Sequence, residues 1–243
     1  MRKVLYRLKN SSLKELSIKI ALVCIGVILA ACGISIFYTL NIGSDPISVF
    51  ADGQHRIFGI SYGNVNLTDS IIYFIFILIF DRKQIRLATL IAGFAMGPLI
   101  NLFTGIFGRF LSPAGTLTLQ FIDFNNLALI PPGEDYLIRL LLLIPAVILL
   151  GCGLGLYLSV NMGAAPVDVM VVFLSDKAHM PFKKGKMAFD FTVAVLGFLM
   201  GGIIGIGTIA AIVFTGPIIS ITMRAMNRHN RKLAARKPDL ADA

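Results

Sequence analysis

Long apolar stretches alternate with short polar breaks along most of the chain. A transmembrane helix needs about 20 mostly apolar residues, and stretches near this length recur between residues 18 and 223. The pattern predicts six transmembrane helices: Ile18–Leu40, Asn66–Phe80, Leu87–Phe107, Tyr136–Val160, Met187–Gly202 and Ile206–Met223. The second and fifth are short for a spanning helix, so we expect their boundaries to move most.

A set of short landmarks recurs about 120 residues later, in the same order. The pairs are Cys32-Gly33 with Cys152-Gly153, Asn41-x-Gly43-x-x-Pro46 with Asn161-x-Gly163-x-x-Pro166, Thr89 with Thr208, and Gly97-Pro98 with Gly216-Pro217. Each half holds three predicted spans, and an odd number of spans turns the second half over. We therefore predict two inverted repeats, a usual framework for a binding site near the membrane midplane.

Each half also contains an apolar segment that is too short to span. These segments are Pro46–Phe58 and Pro166–Leu174, and each starts with a proline, which favours the first position of a helix. We expect them to be re-entrant or interfacial helices. The predicted fold class is thus all-α: a polytopic membrane protein of six transmembrane helices with short re-entrant or interfacial segments.

Composition supports the membrane assignment. The mean hydropathy is +0.82, with 56% apolar and 14% charged residues, whereas charged residues make up about a quarter of soluble domains. The net charge of +9 does not indicate nucleic acid, because the basic residues follow alternate loops. Basic loops face the cytoplasm, so we predict that both termini are cytoplasmic and that the main partner is membrane lipid.

These considerations divide the chain into five segments. They are a basic cytoplasmic N-terminus (1–17), a first three-span repeat (18–108), an extracytoplasmic connector (109–135), an inverted second repeat (136–225) and a basic cytoplasmic tail (226–243).

The two Asn-Gly-Pro breaks are the first candidate site. Exposed amide groups at the start of a half-helix attract anions, and irregular backbone in a membrane is tolerated where protein or water bonds to it. The hypothesis of a substrate or ion site includes Asn41, Gly43, Pro46, Asn161, Gly163, Pro166 and Asp168. The alternative is a repeated turn, in which Asn and Gly supply left-handed backbone and Pro starts the next helix.

Two carboxylates and two proline sites add further candidates. Asp69 and Asp190 fall near the starts of the second and fifth spans, where they would couple an ion or proton, or else interact only with the membrane surface or the helix N-terminus. Gly97-Pro98 and Gly216-Pro217 are candidate hinges, and static packing kinks are the alternative. Gly-x-x-x-Gly stripes serve internal packing or a homodimer equally well.

Patterns for other chemistry are weak. Ser61 lies in a G-x-S-x-G sequence without the strand-turn-helix context of a nucleophile, and the three histidines lack metal-ligand spacing. Cys24, Cys32 and Cys152 lie inside apolar spans, which argues against a disulfide framework. We therefore expect no enzyme, no catalytic residue, no metal and no cofactor.

The order of the motifs resembles the YczE/YitT-like family of bacterial multi-pass membrane proteins, chiefly its YczE branch. The resemblance is carried by GISIFYTLNIGSDPISVF from Gly33, GISYG from Gly59 and GLGLYLSVNMGAAPVDVM from Gly153. It implies a multi-pass protein of the bacterial cytoplasmic (inner) membrane, and no established substrate or catalytic residue comes with it. Our functional hypothesis is a secondary transporter or permease for a small molecule or ion, and the alternative is a non-transporting accessory or regulatory protein.

Overall fold

The structure, a computed structural model, describes residues 13–80, 82, 85–110, 127–128 and 136–235. Within these residues the chain forms helices and two very short strands. The helices are α1 (Leu13–Leu40), α2 (Pro46–Phe58), α3 (Tyr62–Phe80), α4 (Leu87–Phe110), α5 (Tyr136–Ser159), α6 (Pro166–Lys177), α7 (Phe182–Leu199) and α8 (Ile206–Ala235). Strands β1 (Leu127–Ala128) and β2 (Ile204–Gly205) pair in parallel.

Five helices in the described part of the chain are long and apolar enough to cross a membrane: α1, α3, α4, α5 and α8. The predicted span Met187–Gly202 is not among them. Helix α7 starts at Phe182 and has 18 residues, and this earlier start brings Lys183, Lys184, Lys186 and Asp190 into a single helix. The all-α class and the multi-pass character are confirmed, whereas the sixth span stays a prediction.

The two short helices form where the prolines predict them. Helix α2 has the predicted bounds, and Asp45 caps its first turn by accepting a bond from Ser48 N at 3.4 Å. Helix α6 runs three residues beyond the predicted end, to Lys177, and Ala165 gives it no side-chain cap. Most of the predicted connector, 109–135, and both chain ends, 1–12 and 236–243, lie outside the described residues.

Helices α1 and α5 form the centre of the molecule. Glycines let their backbones approach closely: a Cβ atom on Gly33 would lie 2.6 Å from Leu150 N, and one on Gly26 would lie 2.8 Å from Gly153 O. Helix α4 packs on the outer side of α1, and α8 packs on the outer side of α5. The buried core therefore follows the seam between α1 and α5 and spreads to these two neighbours.

The peripheral helices connect the two halves of the chain. Helix α2 packs against α7, where Gly53 meets the carbonyl of Gly197, and α6 packs against α3, where Phe173 contacts Phe76 and Phe80. Each short helix thus packs on the third helix of the other half. The glycine stripes are used for packing inside the chain at Gly97, against Gly63, and at Gly197, against α2.

The seam between α1 and α5 yields a stability prediction. We expect Gly33→Ala to lower the free energy of unfolding by about 1–3 kcal/mol, because the new methyl group meets backbone atoms that have no room to move. Gly105→Ala in α4 is the matched control, since nothing lies within 4 Å of its Cβ position. Thermal unfolding of the detergent-solubilised protein measures both. Equal midpoints for the two variants would contradict the close seam.

Candidate functional site

The two Asn-Gly breaks adopt the same backbone conformation. Asn41 and Asn161 both have φ 55°, and Gly43 and Gly163 have φ 94° and 126°. Non-glycine residues rarely adopt this left-handed region, and asparagine tolerates it better than most. The repeated-turn alternative therefore explains why the motif contains Asn and Gly at these positions.

Each break bonds to the start of the last helix in the other half. Gly207 N donates to Ile42 O at 3.0 Å, and Ala88 N donates to Met162 O at 3.1 Å. Both donors lie in the first turn of a helix, α8 or α4, where N–H groups have no partner within the helix. The two breaks thus supply acceptors that the two helix starts need.

Two threonines complete these contacts. Thr208 Oγ1 accepts from Gly205 N at 3.3 Å, and Thr89 Oγ1 accepts from Arg86 N at 3.4 Å. A Cβ atom on Gly43 would lie 2.6 Å from Thr208 Oγ1, and one on Gly163 would lie 2.7 Å from Thr89 Oγ1. The recurring Asn-x-Gly and Thr landmarks of the sequence are therefore contact partners, each in the opposite half.

A polar network that we name the Asp52 network closes the Asn41 break. Asp52 Oδ1 accepts from Arg56 Nε and from the Tyr62 hydroxyl, both at 3.1 Å, and Asp52 Oδ2 accepts from Ile203 N at 2.8 Å. Arg56 also donates from Nη2 to Asn41 Oδ1 at 3.0 Å. The sequence did not predict this network, because Ile203 is distant from Asp52 along the chain and the Asp52–Arg56 pair has no equivalent in the second half.

The space beside the two breaks differs greatly. At the Asn41 break, a void of about 10 Å³ lies between Tyr38, Ser44, Asp52 and Ile203. At the Asn161 break, an open cleft of about 440 Å³ is lined by Arg86, Asn161, Gly163, Val169, Val172 and Met223. Arg86 Nη1 donates to Asn161 O at 3.4 Å. The Asn41 break is therefore closely packed, whereas the Asn161 break adjoins a much larger space.

A second polar group, the Lys186 cluster, joins α7 to the starts of both short helices. Lys186 Nζ lies 3.4 Å from Asp168 Oδ1 and 3.0 Å from Asp190 Oδ1. Asp45, at the start of α2, is near enough for its charge to act on Lys186. Burial raises the pKa of the Asp45 carboxyl from its ordinary value. Tyr157 of α5, fully buried, lies beside Asp168.

Asp69 and Asp190 are not at helix starts. The helices begin earlier than predicted, at Tyr62 and Phe182, so both carboxylates lie in the third turn. Asp69 is 8% exposed and receives two bonds from Gln54 Nε2, at 3.1 and 2.9 Å. The first-turn interpretation is therefore wrong for both residues.

The two proline sites are also in different surroundings. Helices α4 and α8 continue through Pro98 and Pro217. A Cβ atom on Gly97 would lie 2.5 Å from the carbonyl oxygen of Gly63, whereas nothing lies within 4 Å of the Cβ position of Gly216. A hinge role stays a prediction for both sites, and the surroundings of Gly216 leave more space for movement.

Over the parts of the chain that the structure describes, no three His, Cys, Asp or Glu side chains are grouped as metal ligands. The sequence-predicted residues instead separate into three places. Asn41, Gly43 and Pro46 lie at the closely packed break, Asn161, Gly163 and Pro166 lie at the open one, and Asp168 with Asp190 lies in the Lys186 cluster.

Three curated relatives of the chain carry no assigned function. The chain is 31% identical to the "Uncharacterized membrane protein YczE" of Bacillus subtilis (strain 168) over 133 residues, or 53% of this chain and 61% of the relative. It is 27% identical to an "Uncharacterized protein" of Haemophilus influenzae over 44% of this chain and 49% of the relative. It is 23% identical to the "Uncharacterized protein YyaS" of Bacillus subtilis over 84% and 92%.

The chain thus spans less than two thirds of the length of the first two relatives. No solved structure matches the chain. Residues 17–224 match the profile described as "Family of unknown function (DUF6198)". Because this match covers most of the chain and the relative YczE is a membrane protein, the chain belongs to this YczE-like family of membrane proteins.

Proposed function

We propose that this protein is a secondary transporter for a small solute, built from six transmembrane helices in two inverted three-helix repeats. Helix α7 would be the sixth span. Two charged residues of this helix, Lys186 and Asp190, are paired with each other, and Lys186 also contacts Asp168. Such pairing reduces the free-energy cost of charge in a membrane. Lys183 and Lys184 lie in its first turn, where long side chains reach the membrane surface.

The observation that carries the proposal is the difference between two equivalent breaks. Their backbone conformations and their bonds to helix starts match, yet one adjoins a void of about 10 Å³ and the other a cleft of about 440 Å³. Alternating access requires such a pair of similar gates in opposite states. The cleft has the volume of a small-molecule site.

Orientation follows from the charges. In the bacterial cytoplasmic membrane, the basic loop that contains Arg82 and Arg86 would face the cytoplasm, as would both termini. The Asn161 cleft would then open to the cytoplasm, and the Asp52 network would close the extracytoplasmic side. This arrangement corresponds to an inward-open state.

The sequence-predicted residues acquire roles in this proposal. Asn161 and Gly163 line the open cleft, and Asn41 and Gly43 would line its counterpart when the other side opens. Pro46 and Pro166 start the short helices. Asp69 and Asp190 remain candidates for ion coupling, and Gly97-Pro98 with Gly216-Pro217 remains the candidate hinge pair. The proposal assigns no enzymatic activity to the chain.

Thiol accessibility tests the difference between the breaks. In a background without Cys24, Cys32 and Cys152, we expect Ala164→Cys to react with a small thiol reagent at least about tenfold faster than Ser44→Cys. The reason is that Ala164 lines the open cleft and Ser44 is 4% exposed, and tenfold corresponds to about 1.4 kcal/mol of opening. Equal rates in lipid would argue against a single inward-open state.

The Asp52 network yields a second test. Arg56→Ala removes the bonds to Asp52 and Asn41 and leaves Asp52 less well paired. We therefore expect Ser44→Cys to react several-fold faster in the Arg56→Ala background. Arg82→Ala is the matched control, because the Arg82 side chain is exposed and bonds only to Leu78 O among the described residues. If Ser44→Cys reacts at the same rate in both backgrounds, the Asp52 network does not act as a gate.

Uptake into proteoliposomes tests transport directly. Asn41→Gly with Asn161→Gly retains the left-handed backbone and removes both amide side chains, so the protein should fold and lose most of its substrate-dependent uptake. Screening small solutes under proton and sodium gradients identifies the cargo. If the variant folds and takes up solute at the wild-type rate, the two asparagines are not part of the site.

A non-transporting accessory protein is the second candidate. Helix α8 continues to Ala235, beyond the apolar stretch that ends at Arg228, so a basic helical segment projects from the membrane region. Such a segment suits contact with an acidic partner. Absence of flux under every gradient, together with co-purification of one stable partner, would favour this candidate.

A further inference from the structure

The Lys186 cluster contains more negative than positive charge. Three carboxylates, from Asp45, Asp168 and Asp190, act on one another and on the single ammonium group of Lys186. That ammonium group forms its ion pairs with Asp168 and Asp190. Asp45 bonds to the backbone N–H and the side chain of Ser48, and it makes no ion pair among the described residues. With every group ionised the cluster would carry two uncompensated negative charges, which is costly where the side chains are only partly exposed to solvent.

Three buried atoms in the cluster lack a hydrogen bond among the described residues: Asp45 Oδ1, Asp190 Oδ1 and the hydroxyl of Tyr157, whose side chain is fully buried. Asp190 Oδ1 has only its ion pair with Lys186 Nζ, at 3.0 Å. Tyr157 nevertheless lies beside the carboxylate of Asp168. Buried polar atoms without partners are rare. Their presence beside surplus negative charge indicates an occupant that carries positive charge and hydrogen-bonding capacity.

We propose that the Lys186 cluster binds one exchangeable proton, held by Asp45 and Asp190, and that this proton is the coupling ion of transport. The coupling role rests on the proposed transporter function, whereas proton binding does not. The carboxylates are not grouped as metal ligands within the described residues, so they suit a proton better than a coordinated cation. In coupled carboxylates the proton belongs to the group as a whole.

The groups that face the cluster come from several helices. Tyr38 of α1 lies near Asp45, Tyr157 of α5 lies beside Asp168, and α7 contributes both Lys186 and Asp190. The neighbouring carboxylates are engaged elsewhere. Asp52 is bonded to Arg56, Tyr62 and Ile203, and Asp69 is bonded to Gln54 and lies near Tyr73.

The open cleft offers a route for the proton. It is lined by Leu158 and Val169, the chain neighbours of Tyr157 and Asp168, and the side chains of Asp168 and Lys186 are 24% and 26% exposed. On release, the O–H bond of a carboxylic acid breaks, its electron pair stays on the carboxylate oxygen, and the proton passes to water in the cleft. Uptake is the reverse step.

Infrared difference spectroscopy of the full-length protein in lipid, from about pH 5 to about pH 9, detects the proton without any transported solute. We expect a carboxylic-acid C=O band that disappears as the pH rises and that shifts in D₂O. Asp45→Asn keeps a helix-capping side chain and removes one charge, so most of the band should be lost. Asp176→Asn, an exposed position in α6, should leave the band unchanged.

Lys186→Met tests the same inference in the opposite direction. Removing the positive charge makes protonation more favourable, so the midpoint of the band should rise by about one pH unit or more. A single elution peak and a normal helical spectrum verify folding of each variant. Absence of the band at every pH in the wild type, or a band unchanged in both cluster variants, would overturn the proposal. A pH-dependent band in a protein without solute flux would leave the proton site and remove the transporter.

Discussion

Backbone N–H groups at a helix start have no partner in their own helix and must find acceptors elsewhere. The first turns of α4 and α8 both contain such groups. Each break supplies an acceptor for the helix in the other half, through Met162 O for Ala88 N and Ile42 O for Gly207 N. These two reciprocal bonds join the halves beside the starts of the short helices.

The rest of the arrangement follows from those attachments. Once the breaks are held against Thr89 and Thr208, the short helices α2 and α6 pack on α7 and α3, the third helices of the opposite halves. The start of α6 then lies against α7, where Asp168 pairs with Lys186, and the start of α2 lies close enough for the charge of Asp45 to act on the same lysine. Carboxylates from two distant segments thus lie near one partly exposed lysine.

The two breaks share a backbone conformation but differ in the side chains around them. At the Asn41 break, Asp52 has three donors, and the adjoining void is only about 10 Å³. Position 172, its counterpart 120 residues later, is Val172, which lines the open cleft and offers no acceptor. A network of charge-assisted bonds can therefore form on one side only. The difference between the two sides is a consequence of side chains rather than of the backbone frame.

Much of the fold was predictable because apolar length and proline act locally. The bounds of α2, the start of α4 and the left-handed Asn-Gly backbone depend on residues within a few positions. The fifth predicted span began at Met187, whereas α7 begins at Phe182. Local hydropathy does not show that Lys186 is paired with carboxylates from α6 and from α7 itself. The predicted position of Asp69 near a helix start was wrong, since α3 begins four residues before the predicted start at Asn66.

The sequence by itself determined the membrane class, the duplicated order of landmarks and the left-handed turns, because these features depend on composition and on residues close to one another along the chain. Only the tertiary structure decided which landmarks touch, which break is closely packed, and that Asp45, Asp168 and Asp190 lie around one lysine. Those outcomes depend on packing between different helices, as between Gly43 and Thr208 or Gly163 and Thr89. Periodicity and spacing carry no information about such contacts.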